Sequence, residues 1–260
     1  MNIVVCVKQV PDTWAEKKLD PQTKTLDRES VEGVLNEIDE YAVEEALRIK
    51  EAAGAGEVTI LTMGPERAAE TIRKALSMGA DKAVHVHDPA LKGSCAMATS
   101  LALAKALQTI EFDLVVLGSE ATDARTAIVP ALLAERLGLP QLTLARKVEI
   151  NDGTVRIERQ TEDGYAVVEG PMPAVISVVE KINQPRYPSF KGIMAAKSRP
   201  LTTLTLADLG IDPAEVGLAG ATNAVKEFTD RPPRTAGEVV KDDGSGGVKV
   251  AEFLATRKFI

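Results

Sequence analysis

Apolar and polar positions change period along this chain, and the changes mark its elements. From Ile3 to Val10 the residues are apolar and largely β-branched, the pattern of a strand buried on both faces. From about Asp39 to Ala53 the period turns helical. Ala42, Val43, Ala46, Leu47 and Ile49 share one face, while Glu44 and Arg48 lie a turn apart on the other, where they can pair. Glu57 to Met63 is the next predicted strand and Gly64-Pro65 breaks it. Glu66 to Met78 then predicts a helix with Ala69, Ile72, Ala75 and Leu76 in its apolar stripe and Gly79 as C-cap. A strand over Ala83 to His87, a helix over about Cys95 to Ile110, a strand over Leu114 to Leu117 ending at Gly118, and a helix over about Ala127 to Leu137 complete the series. This alternation predicts right-handed βαβ units, an α/β fold whose parallel sheet carries helices on both faces.

Beyond Pro140 the rhythm shortens. Leu142 to Ile150, Thr154 to Gln160, Tyr165 to Glu169 and Ala174 to Val179 read as strands, with turn signals at Asn151-Asp152-Gly153 and Glu162-Asp163-Gly164. They predict antiparallel hairpins that extend the sheet or build a small second one, so residues 1–180 form one domain. Residues 181–200 are rich in Pro and basic residues and read as an exposed segment. Residues 201–260 read as an arm with a strand-like piece near Val225 and a last helix near Val248 to Arg257. Such an arm suits embracing a partner, and composition equally allows it to fold onto its own domain.

Composition narrows the function classes. A formal net charge of -7 with 27% charged residues gives no basic excess for nucleic acid or an anionic membrane surface. No apolar run approaches the roughly 18 residues that span a bilayer. The two cysteines, Cys6 and Cys95, are too few and too far apart for a disulfide framework or a metal cluster. The first residues read as a strand rather than a secretory leader, so a cytoplasmic or equivalent reducing compartment is expected.

Ligands of open α/β sheets sit at the carboxyl ends of the strands, near a topological switch point. Cys6 to Val10, the turn before the Asp39 helix, Met63-Gly64-Pro65 and Gly118 to Val129 should meet there. The last of these leaves a strand and enters a helix through small and polar residues, whose backbone N–H groups suit an anion such as phosphate. An ordinary βα loop with Asp123 as N-cap fits the same residues. No GxGxxG follows the first strand and no GxxxxGK[ST] occurs. His85 and His87 share a strand face without a third metal ligand, and Ser119 with Asp123 lacks a histidine for a triad. The residues alone therefore give a nucleotide-binding α/β domain without catalytic machinery.

Six segments, in order, carry a more specific message: VKQVPDT at Val7 to Thr13; Asn36-Glu37-Ile38-Asp39 followed by AVEEALRIKE; MGPERAAETIRKALSMGADKA; LGSEATDARTAIVPALLAERLGLP; INQPRYPSFKGIMAAKSRP; and RPPRTAG near the C-terminus. Together they resemble the beta (small) subunit of electron transfer flavoprotein over essentially the whole chain, although Glu37 stands where the family usually has proline. The resemblance implies a Rossmann-like domain of the adenine nucleotide alpha hydrolase-like kind, with AMP at the strand ends and FAD mainly on a partner alpha subunit. It implies a heterodimer that takes electrons from acyl-CoA and other dehydrogenases, as in fatty acid oxidation, and passes them to a membrane quinone oxidoreductase. By position, AMP should be surrounded by Cys6, Asn36, Glu37, Ile38, Asp39, Met63, Gly118, Ser119, Glu120, Ala121, Thr122, Asp123, Ala124, Arg125, Thr126, Ala127, Ile128 and Val129, with its phosphate near the start of a 123–137 helix. Phe190, with Lys191, Ile193 and Met194, would dock the dehydrogenase. Asp12 and Thr13 would approach the partner's flavin, beside a Trp14 that departs from the family pattern.

Two charges, Glu120 and Arg125, fall in the nucleotide loop where family members vary, and some relatives hold a second FAD there and bifurcate electrons. A stand-alone adenine-nucleotide stress-type protein would share the architecture but leave the 183–200 segment and the arm without a role. An enzyme acting on a nucleotide would want an SGGxDS-like motif after the first strand, where this chain has VPDTWAEKK.

Overall fold

Strands built from Val, Ile and Leu bury both faces only if helices cover both sides, and the computed structural model meets that condition. It describes residues 1–233, 237 and 239–260, which divide into two units, Met1–Lys226 and Glu227–Ile260.

In the first unit β1 (Asn2–Cys6), β4 (Glu57–Met63), β5 (Lys82–Val86), β6 (Leu114–Gly118), β7 (Gln141–Asn151), β10 (Ala174–Val178) and β11 (Leu201–Leu204) lie parallel. The antiparallel strands β8 (Thr154–Gln160) and β9 (Tyr165–Pro171) extend one edge. Among the described residues the order is β11-β5-β4-β1-β6-β10-β7-β8-β9. Helices α1 (Glu37–Ala53) and α2 (Ala68–Met78) pack on one face over Ile3, Val5, Ile60 and Val116. Helices α3 (Ala96–Leu107) and α4 (Val129–Leu137) pack on the other over Val4, Leu61, Val115 and Val175. From β1 the chain builds outward through β4 and β5, then crosses to β6 on the opposite side, so the switch point lies between β1 and β6.

The predicted βα series is present, and five expectations are corrected. The strand expected to run to Val10 stops at Cys6. A second short strand, β2 (Gln9–Pro11), pairs antiparallel with β3 (Gly33–Leu35), which the hydrophobic pattern did not signal. Ala174–Val178 joins no hairpin. It inserts between β6 and β7, and its wholly buried residues suit that central place. Residues 181–200 are not merely an exposed segment, since they contain α5 (Phe190–Ala196), packed beside α2. There a Cβ on Gly192 would lie 2.4 Å from the Ser77 carbonyl oxygen, so only glycine permits the approach. Beyond 200, β11 pairs with β5 and a short helix, α6 (Leu206–Leu209), caps itself with Thr205 and Asp208, so the first unit runs on to Lys226 rather than ending before an arm at 201. No strand forms at Val225.

The second unit holds α7 (Gly246–Thr256), with Val248, Val250 and Phe253 exposed along it. Of the RPPRTAG segment, Arg234, Thr235 and Ala236 lie outside the described residues.

Ile176 is wholly buried between two parallel neighbours. Ile176→Ala should lower unfolding stability by about 3 kcal/mol, read from the denaturant midpoint of the purified protein.

Candidate functional site

The carboxyl ends of β1 and β6 point their backbone N–H groups toward the first turn of α1. Asp39, only 5% exposed, accepts from Lys8 N (2.8 Å) through one carboxylate oxygen and from Gly118 N (3.2 Å) through the other. A Cβ on Gly118 would lie 2.5 Å from that second oxygen, which explains a glycine at this strand end. Asn36, fully buried just before α1, donates its amide to Glu120 O (3.0 Å) and accepts from Thr122 N (3.0 Å). Its own N–H reaches Lys8 O at 3.0 Å. Together Asn36 and Asp39 staple β1, α1 and the loop after β6 at the switch point.

Asp123 was expected either as a helix N-cap or near a phosphate, and the N-cap reading is corrected. Helix α4 begins at Val129, and Ile128 before it offers no capping side chain. Asp123 instead turns inward, its side chain wholly buried, to meet Lys8 Nζ at 2.8 Å and Arg28 Nε and Nη2 at 2.9 and 2.7 Å. Burial would raise its pKa, but Lys8 and Arg28 hold the carboxyl below the ordinary range. Lys8 is itself lowered by burial, against the pull of Asp123. Asp39 goes the other way: burial pushes it up to about 7, outweighing the hydrogen bonds from Asn36, Lys8 and Gly118.

Between the staples and α4 the loop is exposed from Ala124 to Ile128, with Arg125 (φ 48) and Ala127 (φ 51) in the left-handed region. For non-glycine residues that conformation costs on the order of 1 kcal/mol or more each, and such strain clusters at ligand sites. Arg125 pairs with Glu120 at 3.0 Å, so the two variable charges neutralise each other. Thr122 Oγ1 is buried without a hydrogen-bond partner among the described residues, a hydroxyl left for something to meet.

Other expected residues fall differently. Ile38 and Ser119 are buried, with Ser119 N bonded to Val178 O, and Ala121 is partly buried. Glu37 is exposed and accepts from Thr13 Oγ1 at 3.0 Å. The Cys6 side chain sits in the core against α3 and α4, its thiol pushed up by burial and then by Asp39. Met63 ends β4, one strand further out, partly buried against the same core. His85 and His87 both turn to Gly64 O, at 3.0 and 3.1 Å, and no cluster fit for a metal ion occurs among the described residues. Phe190, Ile193 and Met194 are exposed on α5, Phe190 at 80%, and Lys191 beside them is exposed too.

Arg28 was not foreseen at the site, and Lys8 was not singled out within the Cys6 to Val10 segment expected there. Lys8 had a signal, a cation closing an apolar strand at the sheet's carboxyl edge. Arg28 had none, because it arrives on an irregular excursion, residues 12–32, between β2 and β3.

Fold and crevice together define a doubly wound α/β protein with a stapled, strained loop at its switch point. Residues 23–209 match the electron transfer flavoprotein domain. The electron transfer flavoprotein subunit beta of Mycobacterium tuberculosis is 56% identical over 100% of this chain and 99% of its own length. That of Thermoanaerobacterium thermosaccharolyticum is 42% identical over 96% and 95%. The caffeyl-CoA reductase-Etf complex subunit CarD of Acetobacterium woodii is 40% identical over 92% of both chains. The chain thus belongs to the electron transfer flavoprotein family, on its beta-subunit side, and is by kind an electron-carrier subunit whose counterpart is an alpha subunit. No described helix is long and apolar enough to cross a membrane.

The folded protein holds the Asp39 proton more tightly than the unfolded chain does, whose carboxyl titrates near 3.8. Between that value and about 7 the penalty for burying the anion grows as pH rises, and below it the penalty vanishes. Relative to Asp39→Asn, the wild type should therefore gain stability as pH falls from about 7.5 to about 5, by at most roughly 1.4 kcal/mol per unit. Parallel urea titrations of the two proteins across that range measure it.

Proposed function

We propose that this chain works as the small half of a heterodimer that accepts electrons from acyl-CoA and other dehydrogenases and delivers them to a membrane quinone oxidoreductase. AMP occupies the switch-point crevice as a structural ligand, and FAD is carried mainly by the alpha subunit. The observation that carries the nucleotide assignment is the strained, exposed 124–128 run leading into a helix start that no side chain caps. A helix of this length offers its first N–H groups and the positive end of its dipole to a phosphate. The unpartnered Thr122 hydroxyl, and Asn36 and Asp39 beneath the loop, fit a polar ligand held mostly by backbone. Lys8 and Arg28 neutralise Asp123, so a bound anion meets no bare carboxylate there.

When bound in the partner, FAD supplies the redox chemistry. This chain's residues dock, orient and shield. Trp14, 95% exposed in the 12–32 excursion beside Asp12 and Thr13, belongs to the surface that faces the flavin-bearing subunit. The second unit, with exposed Val248, Val250 and Phe253, is the arm that embraces that subunit. Phe190, with Lys191, Ile193 and Met194, is the dehydrogenase contact. A relative named for a caffeyl-CoA reductase complex supports CoA-ester flavoenzymes as the partner class.

The complex with its large subunit, once denatured, should release about one AMP and one FAD per heterodimer, quantified by chromatography. Two FADs without AMP would make the 118–129 loop a flavin site and move the protein to the bifurcating class. Asp123→Ala should reduce nucleotide retention and weaken the fold by about 2 kcal/mol, since Lys8 and Arg28 lose a buried partner. Phe190→Ala should raise the KM for the dehydrogenase by about tenfold or more with FAD content intact, as truncating an exposed anchor does.

A further inference from the structure

Helix α1 carries two adjacent buried acids. Glu44 is 5% exposed and Glu45 7%, on a stretch that helical periodicity assigns to solvent. The expected Glu44–Arg48 pair is absent: Arg48 meets Glu45 instead, at 3.4 Å. What covers the acids is the segment leading to α5. Asn183 donates to Tyr41 O at 3.0 Å and to Glu45 Oε2 at 2.9 Å. Arg186 grips Glu44 through Nε (2.7 Å) and Nη2 (3.0 Å), adds its backbone N–H to the same carboxylate (3.1 Å), and reaches outward to Glu51 through Nη1 (2.6 Å) and Nη2 (3.2 Å).

This fork sits three residues before Ser189, the N-cap of α5, whose hydroxyl accepts from Gly192 N at 3.0 Å. Pro185 and Pro188 flank Arg186 on either side, each fixing its own φ and restricting the residue before it. Little freedom remains between the clamp and Phe190. At the far side of Phe190, Gly192 lies against Ser77 O, so α5 is held at two points, on α1 and on α2. The result is a large aromatic side chain, 80% exposed, on a rigid mount rather than a loose loop.

We infer that Arg186 is a positioning residue for partner docking: its fork onto Glu44 and Glu51 presets the direction in which Phe190 is presented, so that the dehydrogenase meets an already ordered anchor. The inference rests on the docking role of Phe190 proposed above. Ordering an anchor before contact spares the complex that entropic cost, so loss of the clamp acts on encounter and affinity and leaves the redox step alone. The geometry explains why an arginine stands here: a lysine's single nitrogen cannot place two parallel N–H donors on one carboxylate from separate atoms while also reaching a second carboxylate.

The test compares Arg186→Gln, Arg186→Lys and Phe190→Ala in the purified heterodimer, each reduced by a CoA-ester dehydrogenase with its substrate and, separately, by dithionite, which needs no docking. Arg186→Gln should raise the KM for the dehydrogenase by about tenfold with kcat within about twofold, FAD and nucleotide content unchanged, and reduction by dithionite at the wild-type rate. Arg186→Lys should recover only part of the loss. An unchanged KM in Arg186→Gln while Phe190→Ala raises it overturns the positioning role and leaves the docking reading standing. An unchanged KM in Phe190→Ala rejects the docking reading itself. Parallel loss of kcat or cofactor in Arg186→Gln shows a merely structural residue and overturns the inference. If that variant does not assemble, Arg186→Lys decides: a KM raised about threefold supports the role, and a wild-type value rejects it.

Discussion

Between the ends of β1 and β6, two strands that diverge into opposite halves of the sheet, the N–H groups of Lys8 and Gly118 point at a single carboxylate. A parallel sheet must leave such groups unpaired wherever its strands stop, and burying them without an acceptor costs on the order of 1–3 kcal/mol each. Asp39 meets both from the first turn of α1 and thereby fixes that helix's start to the switch point. The same interaction fixes the strand ends, since β1 stops at Cys6 so that Lys8 can turn its N–H to Asp39. Its burial raises the carboxyl toward neutrality, a cost the fold carries at its most ligand-accessible point. Asn36, one turn earlier, extends the staple to Glu120 and Thr122.

From that fixed start, α1 serves as a common mount. Its first turn holds the crevice, its middle holds Asn183 and Arg186, and its apolar side packs on the sheet. Polar chains are buried on two sides of this 17-residue helix because other segments cover them. The strained 124–128 run and the rigidly held α5 are thus both carried by regular elements, with the irregular backbone confined to where a partner or ligand would touch it.

The βα rhythm through Leu137 was legible because buried parallel strands are continuous apolar runs and the helices between them keep one apolar stripe. β2 and β3 were not, since three-residue strands leave no period to read. The place of β10 was hidden for another reason: five buried residues look alike in a hairpin and in a sheet centre, and only the neighbours differ. At the candidate site, Asn36, Asp39, Gly118 and Thr122 were expected from their position at the strand ends and from family resemblance, and the fold brings the four together. The role given to Asp123 failed in part because local sequence favours a cap, whereas the deciding partners come from residues 8 and 28, far away in the chain. Glu44 was misplaced on the solvent face by the same blindness, its cover arriving 142 residues later.

The late entry of β10 has a further consequence, for the order in which the molecule can form. Emerging from a ribosome, residues 1–137 contain β1, β4, β5, β6 and four helices, yet β6 then has one open flank, and β7 when it follows has no parallel neighbour at all. Only when Ala174–Val178 appears does one strand fill both vacancies. Closure between segments so distant in sequence is entropically slow. The nascent chain therefore carries an exposed apolar sheet edge through the making of some sixty residues between Gly118 and Val178. The sheet is indivisible in time as well as in space: no leading portion short of Val178 closes its centre, and β11 adds the last edge only at Leu204.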